Sequence, residues 1–563
     1  MKAAVTVIKQ AVPCGVHPFG GPRIFCEPAV FKDRGFLYPG NSLRHPVSTS
    51  LHGGSLCDWL HLFIDRNLSP MIRTIIFCLL LCGTLTRSPF LLAAEIEDPA
   101  PPSVSRPQGD EATEAVEHDR LTFFAEPKAL SPDAVTSNWP RFLGPTDDGK
   151  TPETHLIDEI PEDGPAKVWE MEKGSGYTSP VIVDGKLVLF DRIGDEEIVD
   201  CLEPETGERL WQYGYPVVYS DRYGFNNGPR ASAVIDSGKV YTLGVTSKLS
   251  CLDLATGSLL WQRELMTEFD RASFFFGHGA CPLIHNGKLI VPLGTNGMEK
   301  GLSVVAFDQH NGKLLWSSEH EWNASYASPI IAELQGAPRL IVFQGGESDP
   351  AFGGVLCLNP ENGELHDAFA WRPDKYESVN SSTPVAVGDN RIFITTSYQL
   401  GATLLRLNEE LKWEQLWKAP DFGIHWMTPL LLDGHLYGFR GRNEPDAWLA
   451  SYNVETGEEN WREDLEWTVP IKSGRDYRMK YLRGSLLHAD GKTFALGELG
   501  SLGLLKLSPE GVEDLGRSQL FFARATWSLP VLHRGLLYVS QHEPDMDNNP
   551  PRLICYDLRK QGN

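Results

Sequence analysis

Residues 179–211 read SPVIVDGKLVLFDRIGDEEIVDCLEPETGERLW, and their order of strands and turns decides the fold. A short apolar strand runs into Asp184-Gly185, a two-residue signal for a tight hairpin. An alternating strand follows at Lys186-Leu187-Val188-Leu189-Phe190. A third strand ends in Cys201-Leu202-Glu203, a Thr206-Gly207 turn reverses the chain, and a fourth strand carries Trp211. Four antiparallel strands in one unit have two faces and cannot bury both alone, so such units must stack on one another.

The unit recurs. SAVIDSGKVYTL leads to LSCLDLATGSLLW and Trp261; CPLIHNGKLIVP leads to VVAFDQHNGKLLW and Trp316. A fourth copy runs from SPIIAELQGAPRLIVF to VLCLNPENGEL, with Trp371 further on. The fifth and sixth end at Trp417 and Trp461. Two weaker copies, GSLLHADGKTFAL and LPVLHRGLLYVS with their partners, close the series. A repeat of this length outranks any local motif. The eighth unit stops at Tyr556-Asp557-Leu558 without its tryptophan strand, whereas PAKVWEME, with Trp169, stands before the first unit. The expectation is an all-β, eight-bladed β-propeller of four-stranded antiparallel blades, its last blade completed by the N-terminal strand. Closure of that kind removes open sheet edges.

Residues 138–563 are assigned to the propeller and 95–137 to a disordered linker. Met71 opens MIRTIIFCLLLCGTLTRSPFLLAAE, with a positive start, a short apolar run and Ala93-Ala94, so residues 71–94 read as a secretory signal peptide. Residues 1–70 show no periodicity and read as an upstream extension from a start codon placed too early, or as a disordered N-terminal stretch. The protein is therefore expected outside the cytoplasm, periplasmic or extracellular. At 563 residues, 41% hydrophobic and with a net charge of −23, it is globular and poorly suited to nucleic acid, whose phosphates it would repel.

Four cysteines, Cys201, Cys251, Cys357 and Cys555, share one slot of the repeat, which other units fill with Ala306, Arg406, Ser451 or Lys506. Equivalent slots in different blades are far apart, so these thiols and Cys281 are expected to be small buried residues rather than disulfide partners. No CxxC, HxH or HExxH spacing supports a metal. Residues 144–151, GPTDDGKT, match the phosphate-loop pattern. Pro140 and Pro152 flank the match, two aspartates lie inside it, and no helical pattern follows, so no nucleotide is expected.

The blade ends CLEPETGERLW, CLDLATGSLLW and YNVETGEENW make the chain resemble the eight-bladed PQQ-like propeller family, over about Asn138 to Leu558. That family includes quinoprotein alcohol dehydrogenases and a non-catalytic outer-membrane-protein assembly lipoprotein. The stretches NWPRFLGPTDDGKTP, NGPRASAV, SYASPI, SVNSSTPV and SYQLGATLLRL resemble a secreted subgroup. The resemblance implies blade-end tryptophans docked between blades: Trp169, Trp211, Trp261, Trp316, Trp417 and Trp461. For the dehydrogenases it implies a quinone under two adjacent linked cysteines, a calcium ion and an aspartate base. No Cys-Cys pair is present in the expected exported chain, and EPDMDNNP (Asp545, Asp547, Asn549) has Pro550 where a calcium loop needs glycine. PQQ and calcium are therefore not expected, and no catalytic residue is assigned.

Loops leading to the innermost strands gather at one mouth of a propeller's channel. Here they carry Arg230, His278, Tyr326, Asn380, His425, Trp426, Arg483 and Trp527, with Tyr398 placed nearby. Such a set suits a carboxylate, a sugar or a peptide terminus, and equally the internal hydrogen bonds of a polar channel. The expected function is a non-catalytic, monomeric propeller binding a protein, peptide or envelope component. A PQQ-dependent oxidoreductase and a carbohydrate-binding propeller are the alternatives. N-terminal sequencing of the exported protein is expected to begin near Glu95; a start within residues 1–70 would refute the leader assignment.

Overall fold

The computed structural model describes residues 98, 100, 120–271, 276–295, 301–346, 352–375, 378–442, 447–471 and 474–560. The signal peptide and upstream extension lie outside them. Eight antiparallel blades follow one another along the chain. The first is Val181–Val183, Lys186–Ile193, Glu196–Leu202 and Arg209–Pro216. The last is Val531–His533, Leu536–Gln541 and Arg552–Asp557, completed by Ala166–Glu172 from the other end of the chain. Trp169 sits opposite Cys555 in that closing pair. The propeller expected from the repeats, with its N-terminal closing strand, is thus the observed fold.

Each blade-end tryptophan locks its blade to the next. The indole Nε1–H of Trp169 donates to Pro204 O (2.9 Å), that of Trp211 to Leu254 O (2.9 Å) and that of Trp261 to Gln309 O (3.3 Å). Trp316 reaches Pro360 O, Trp417 reaches Val454 O and Trp461 reaches Ser508 O in the same way. At Trp169, Trp211, Trp316 and Trp417 the ring also covers the glycine of the next blade's turn. Gly257 has φ +73°, and a Cβ placed on it would lie 2.6 Å from the Trp211 ring. The Thr-Gly turn therefore needs glycine twice, for its left-handed backbone and for the indole above it.

The cysteine slot follows from the same contact. Cys201 lies opposite Trp211, Cys251 opposite Trp261 and Cys555 opposite Trp169, while Ala306 and Ser451 face Trp316 and Trp461. A small residue leaves room for the indole across the strand. Arg406 occupies the slot where it faces Glu414 and no tryptophan. All five described cysteines are free and buried. Burial pushes the Cys201, Cys251 and Cys357 thiols up to about 12 and Cys281 up to about 11, so they stay protonated and inert.

Around the channel the innermost strands are tied by hydroxyls. Ser179 N–H donates to Ser232 Oγ, Cys281 N–H to Ser328 Oγ and Ser328 N–H to Thr383 Oγ1, while Ser179 Oγ donates to Leu529 O. These satisfy polar groups that face neither a sheet partner nor bulk water.

Two features depart from the sequence reading. Part of the expected linker is ordered: Leu121–Phe123 adds a fifth strand to the closing blade, with Phe123 opposite Trp169. Further back, Asp98 accepts two hydrogen bonds from Arg263 (2.6 and 3.1 Å) and one from Leu314 N–H. The apolar-polar alternation of LTF is too short to register as a strand on its own. A hairpin, Glu466–Pro470 with Asp476–Lys480, is also inserted between blades six and seven, where Trp467 packs on Tyr481. Replacing Trp211 by alanine is expected to cost about 3–5 kcal/mol in urea unfolding, with Trp211→Phe recovering part of the loss. A cost below 1 kcal/mol would show that the indole contact does not hold the blades.

Candidate functional site at the channel mouth

The GPTDDGKT stretch determines which end of the channel can serve as a site. No helix follows Thr151, and residues 138–157 instead cross the hairpin ends of the innermost strands. Trp139 bridges to Ile182 in blade one, and Pro140 O accepts from Ile235 N–H in blade two. Lys150 bridges to His488 in blade seven and donates through Nζ to Leu431 O in blade six. Glu153 accepts from the backbone N–H groups of Arg534 and Gly535 in blade eight. The segment touches five blades on that face. Trp139, Leu143 and Leu156 join the core of blades seven, eight and one, a cluster that Trp426 and Met427 meet from the opposite, mouth side. Lys150 is ion-paired to Asp148 (2.8 Å) and Arg141 to Asp147 (2.9 Å), so the loop's charges are used internally.

At the mouth, loops from successive blades build a continuous run of rings. Centroid separations are 5.8 Å for Tyr326 to Phe276, 5.9 Å for Phe276 to Phe225 and 6.1 Å for Phe225 to Trp527. The run continues at 4.6 Å from Trp527 to Trp426, 4.0 Å from Trp426 to His425 and 5.2 Å from His425 to Tyr398. Tyr177 lies 5.1 Å from Trp527. Phe225 is half exposed at the rim. These separations suit offset and edge contacts between rings.

Two of the arginines among the rings are paired with acids, and Arg442 lies over Tyr398 (4.7 Å). Arg483 lies over the faces of Trp426 (4.1 Å) and Trp527 (5.4 Å) and is ion-paired with Glu498, which also accepts the Trp527 indole N–H (2.9 Å). Arg230 is ion-paired with buried Asp221 (2.8 Å) and donates to Gly228 O and Asn226 O. Asp221 also accepts the N–H groups of Tyr223 and Phe225, folding the loop that presents Phe225. His425 bonds Tyr398 Oη through Nε2 (2.9 Å). Burial first, and the nearby Arg483 and Arg442 charges second, hold its imidazole neutral, with a pKa well below the usual range.

Of the residues expected at the mouth, Tyr326, Tyr398, His425, Trp426, Arg483 and Trp527 lie in this run, and Arg230 stands over Tyr177 at 5.7 Å. His278 is buried and bonded to Ser247 Oγ, with burial lowering it to about 3. Asn380 is fully buried, its amide donating to Gln344 O and Trp371 O. Both support loops from below. Tyr177, Phe225, Phe276 and Glu498 escaped the sequence reading. Tyr177 directly precedes the Thr-Ser-Pro that begins the first innermost strand, and that position was the available signal.

The matched family is described as outer membrane protein assembly factor BamB, over residues 195–463. The BamB of Yersinia pestis is 25% identical over 160 residues, 28% of this chain and 35% of that protein. A quinohemoprotein alcohol dehydrogenase, ADH-IIG of Pseudomonas putida, is 25% identical over 214 residues, 36% of this chain and 26% of the dehydrogenase. The chain thus spans about a quarter to a third of the length of these relatives. Among solved structures, a europium-containing methanol dehydrogenase superposes with a TM-score of 0.50 at 10% identity, covering 75% of this chain and 98% of that one. BamB from Moraxella catarrhalis gives 0.46 at 16% identity, covering 70% and 99%. The likeness to the methanol dehydrogenase shows the fold.

The donor set at the mouth does not match a quinone with its calcium ion. Among the described residues no three His, Cys, Asp or Glu converge on one point, and the described cysteines are buried as single thiols. The Trp426 face is covered by Arg483. Asp545, the first carboxylate of EPDMDNNP, is engaged by Asp547 N–H, Asn549 and Arg552.

Asp147 in the crossing segment is raised to about 6, mainly by burial, against the pull of Arg141. A raised folded-state pKa favours folding below the unfolded value of 3.8, and this contribution is lost as pH rises through 6. Relative to Asp147→Asn, the wild type is therefore expected to lose about 1–2 kcal/mol between pH 4 and 7 in urea unfolding, less than full burial would give because the carboxylate keeps contact with water. A pH-independent difference would refute this placement of Asp147.

Proposed function

We propose that this chain, a PQQ-like propeller resembling the outer membrane protein assembly factor BamB, is a non-catalytic binding protein that works outside the cytoplasm and receives a protein or peptide partner at the channel mouth. The observation that carries the reading is the run of rings from Tyr326 to Tyr398, with Arg230 and Arg483 already paired to acids. Rings and the guanidinium groups stacked on them, Arg483 on Trp426 and Trp527 and Arg442 on Tyr398, form the contact surface, with Phe225 half exposed at its rim. Aromatic faces of this kind dominate protein recognition because they bury large area with little loss of side-chain freedom. Residues 138–157 lie across five innermost strands on the other face, so the mouth is the face on which a partner docks. Export rests on the leader read at residues 71–94.

Similarity to quinohemoprotein dehydrogenases favours PQQ-dependent oxidation as the second reading. Two measurements separate them. Purified protein supplied with PQQ and Ca²⁺ is expected to oxidise no alcohol or sugar; turnover would overturn the binding-protein reading. Peptides selected on the wild-type protein by display are expected to bind Phe225→Ala/Trp527→Ala at least tenfold more weakly, followed by fluorescence. Peptides that bind both forms equally would remove the mouth as the docking site, and selective capture of glycans instead would favour a carbohydrate ligand.

A further inference from the structure

Two cations at the mouth differ from their neighbours. Arg230 and Arg483 hold acids of their own, Asp221 and Glu498. Arg442 and Lys375 do not. Both are exposed, and among the described residues neither has a carboxylate within ion-pair distance. Asp374, next to Lys375 in the chain, pairs with neither.

One turn carries both of them. Residues 397–400 join the second strand of blade five, Arg391–Thr396, to the third, Gly401–Leu407. The Tyr398 ring of that turn lies under the Arg442 guanidinium (4.7 Å), which comes from the corresponding loop of blade six. Gln399 Oε1 accepts from Lys375 Nζ (2.6 Å), which comes from the connection between blades four and five. Tyr398 and Gln399 both take the left-handed backbone, with φ +62° and +69°. Asparagine and glycine fill such a turn at little cost, tyrosine and glutamine at more. The side chains that carry the cations are thus held against the preference of the backbone. His425, bonded to Tyr398, is kept neutral and adds no charge.

An exposed cation without a fixed acid keeps its charge for a partner, and binding need not first break an internal pair. We infer that the peptide segment received at the mouth is acidic, its aspartate or glutamate side chains pairing with Arg442 and Lys375 over the Tyr398-Gln399 turn while its apolar side chains lie along the rings toward Phe225. This rests on the docking role proposed above and adds the chemistry of the partner. Cations on two neighbouring residues suit two side chains better than one chain-terminal carboxylate. The protein carries a net charge of −23 and repels an acidic segment elsewhere, so the turn also fixes where such a segment lands.

Binding of the labelled full chain to a synthetic array of random hexapeptides tests this, each sequence being made with an amidated and with a free C-terminus. Bound sequences are expected to be enriched in Asp and Glu over the array, in the amidated form as well as the free one. In solution, the bound amidated hexapeptides are expected to lose about fivefold in affinity to Arg442→Gln/Lys375→Gln, the size of two exposed ion pairs. Raising the salt to about 0.5 M is expected to weaken their binding to the wild type. Arg406→Gln/Lys506→Gln removes the same charge from exposed positions on the third strands of blades five and seven, and is expected to leave binding unchanged. Unchanged melting temperatures check the fold of both double variants. Binders without acid enrichment, binding confined to free C-termini, no loss with Arg442→Gln/Lys375→Gln, or equal loss with both double variants overturns the inference and leaves the docking role standing. An array without binders, or hexapeptides that bind Phe225→Ala/Trp527→Ala as tightly as the wild type, overturns the docking role and the inference with it.

Discussion

One contact repeats around this molecule and sets most of what surrounds it: an indole on the outermost strand of a blade, hydrogen-bonded to a turn carbonyl of the next blade and lying on that turn's glycine. In its fullest form it joins a small residue across the strand, a glycine under the ring and a turn that aims a carbonyl at it; Trp417 makes the contact with Leu404 across the strand. The sequence obeys all three at once, as at Trp211, Cys201 and Gly257. At Trp169 and Trp211 the small residue, the indole and the glycine thus act together. In blade four, where the outer strand has no tryptophan, Cys357 faces Asp367.

Closure imposes a second order on the chain. The N-terminal strand brings Trp169 into the last blade, and the residues before it are put to use on the way. Leu121–Phe123 covers the edge of that strand, and Asp98 is held by fully buried Arg263. Residues 138–157 lie across the ends of five innermost strands. A ring closed in this way has two unlike faces: one crossed by the lead-in, the other left to loops. The loops on the open face vary in length and carry the aromatic run, so the site is positioned by the ring while its chemistry is set by segments that the ring does not constrain.

This division explains what the sequence disclosed. Strand order, blade number and the closing strand were legible because hairpin signals and tryptophans recur at fixed offsets. The small residues of the Cys201 slot were legible as buried, and the structure adds the reason, a facing indole. The mouth was legible only as a collection of loops. Six expected residues converge in the ring run, but His278 and Asn380 turned inward, because their polar atoms satisfy loop backbones and neighbouring side chains, which spacing along the chain does not reveal. Phe225 was missed since its position depends on Asp221 folding a loop. The GPTDDGKT stretch was legible as something other than a phosphate loop; that it lies across the innermost strands depends on contacts with residues hundreds of positions later.

The strand that closes the ring has a consequence for how the protein comes into being. Glu170 pairs with Arg552 across 382 residues. A chain is synthesised N-terminus first, so the Trp169 strand waits for nearly the whole polypeptide before its partner exists. During that interval an apolar strand stands with both edges open, the situation most exposed to mispairing and aggregation. Contacts of such separation also slow folding. The crossing segment waits as well, since Glu153 needs the blade-eight hairpin. Maturation of this protein is thus set by its last segment to arrive, and a short loss at the C-terminus would leave the first blades folded but the ring, the crossing segment and the mouth unmade.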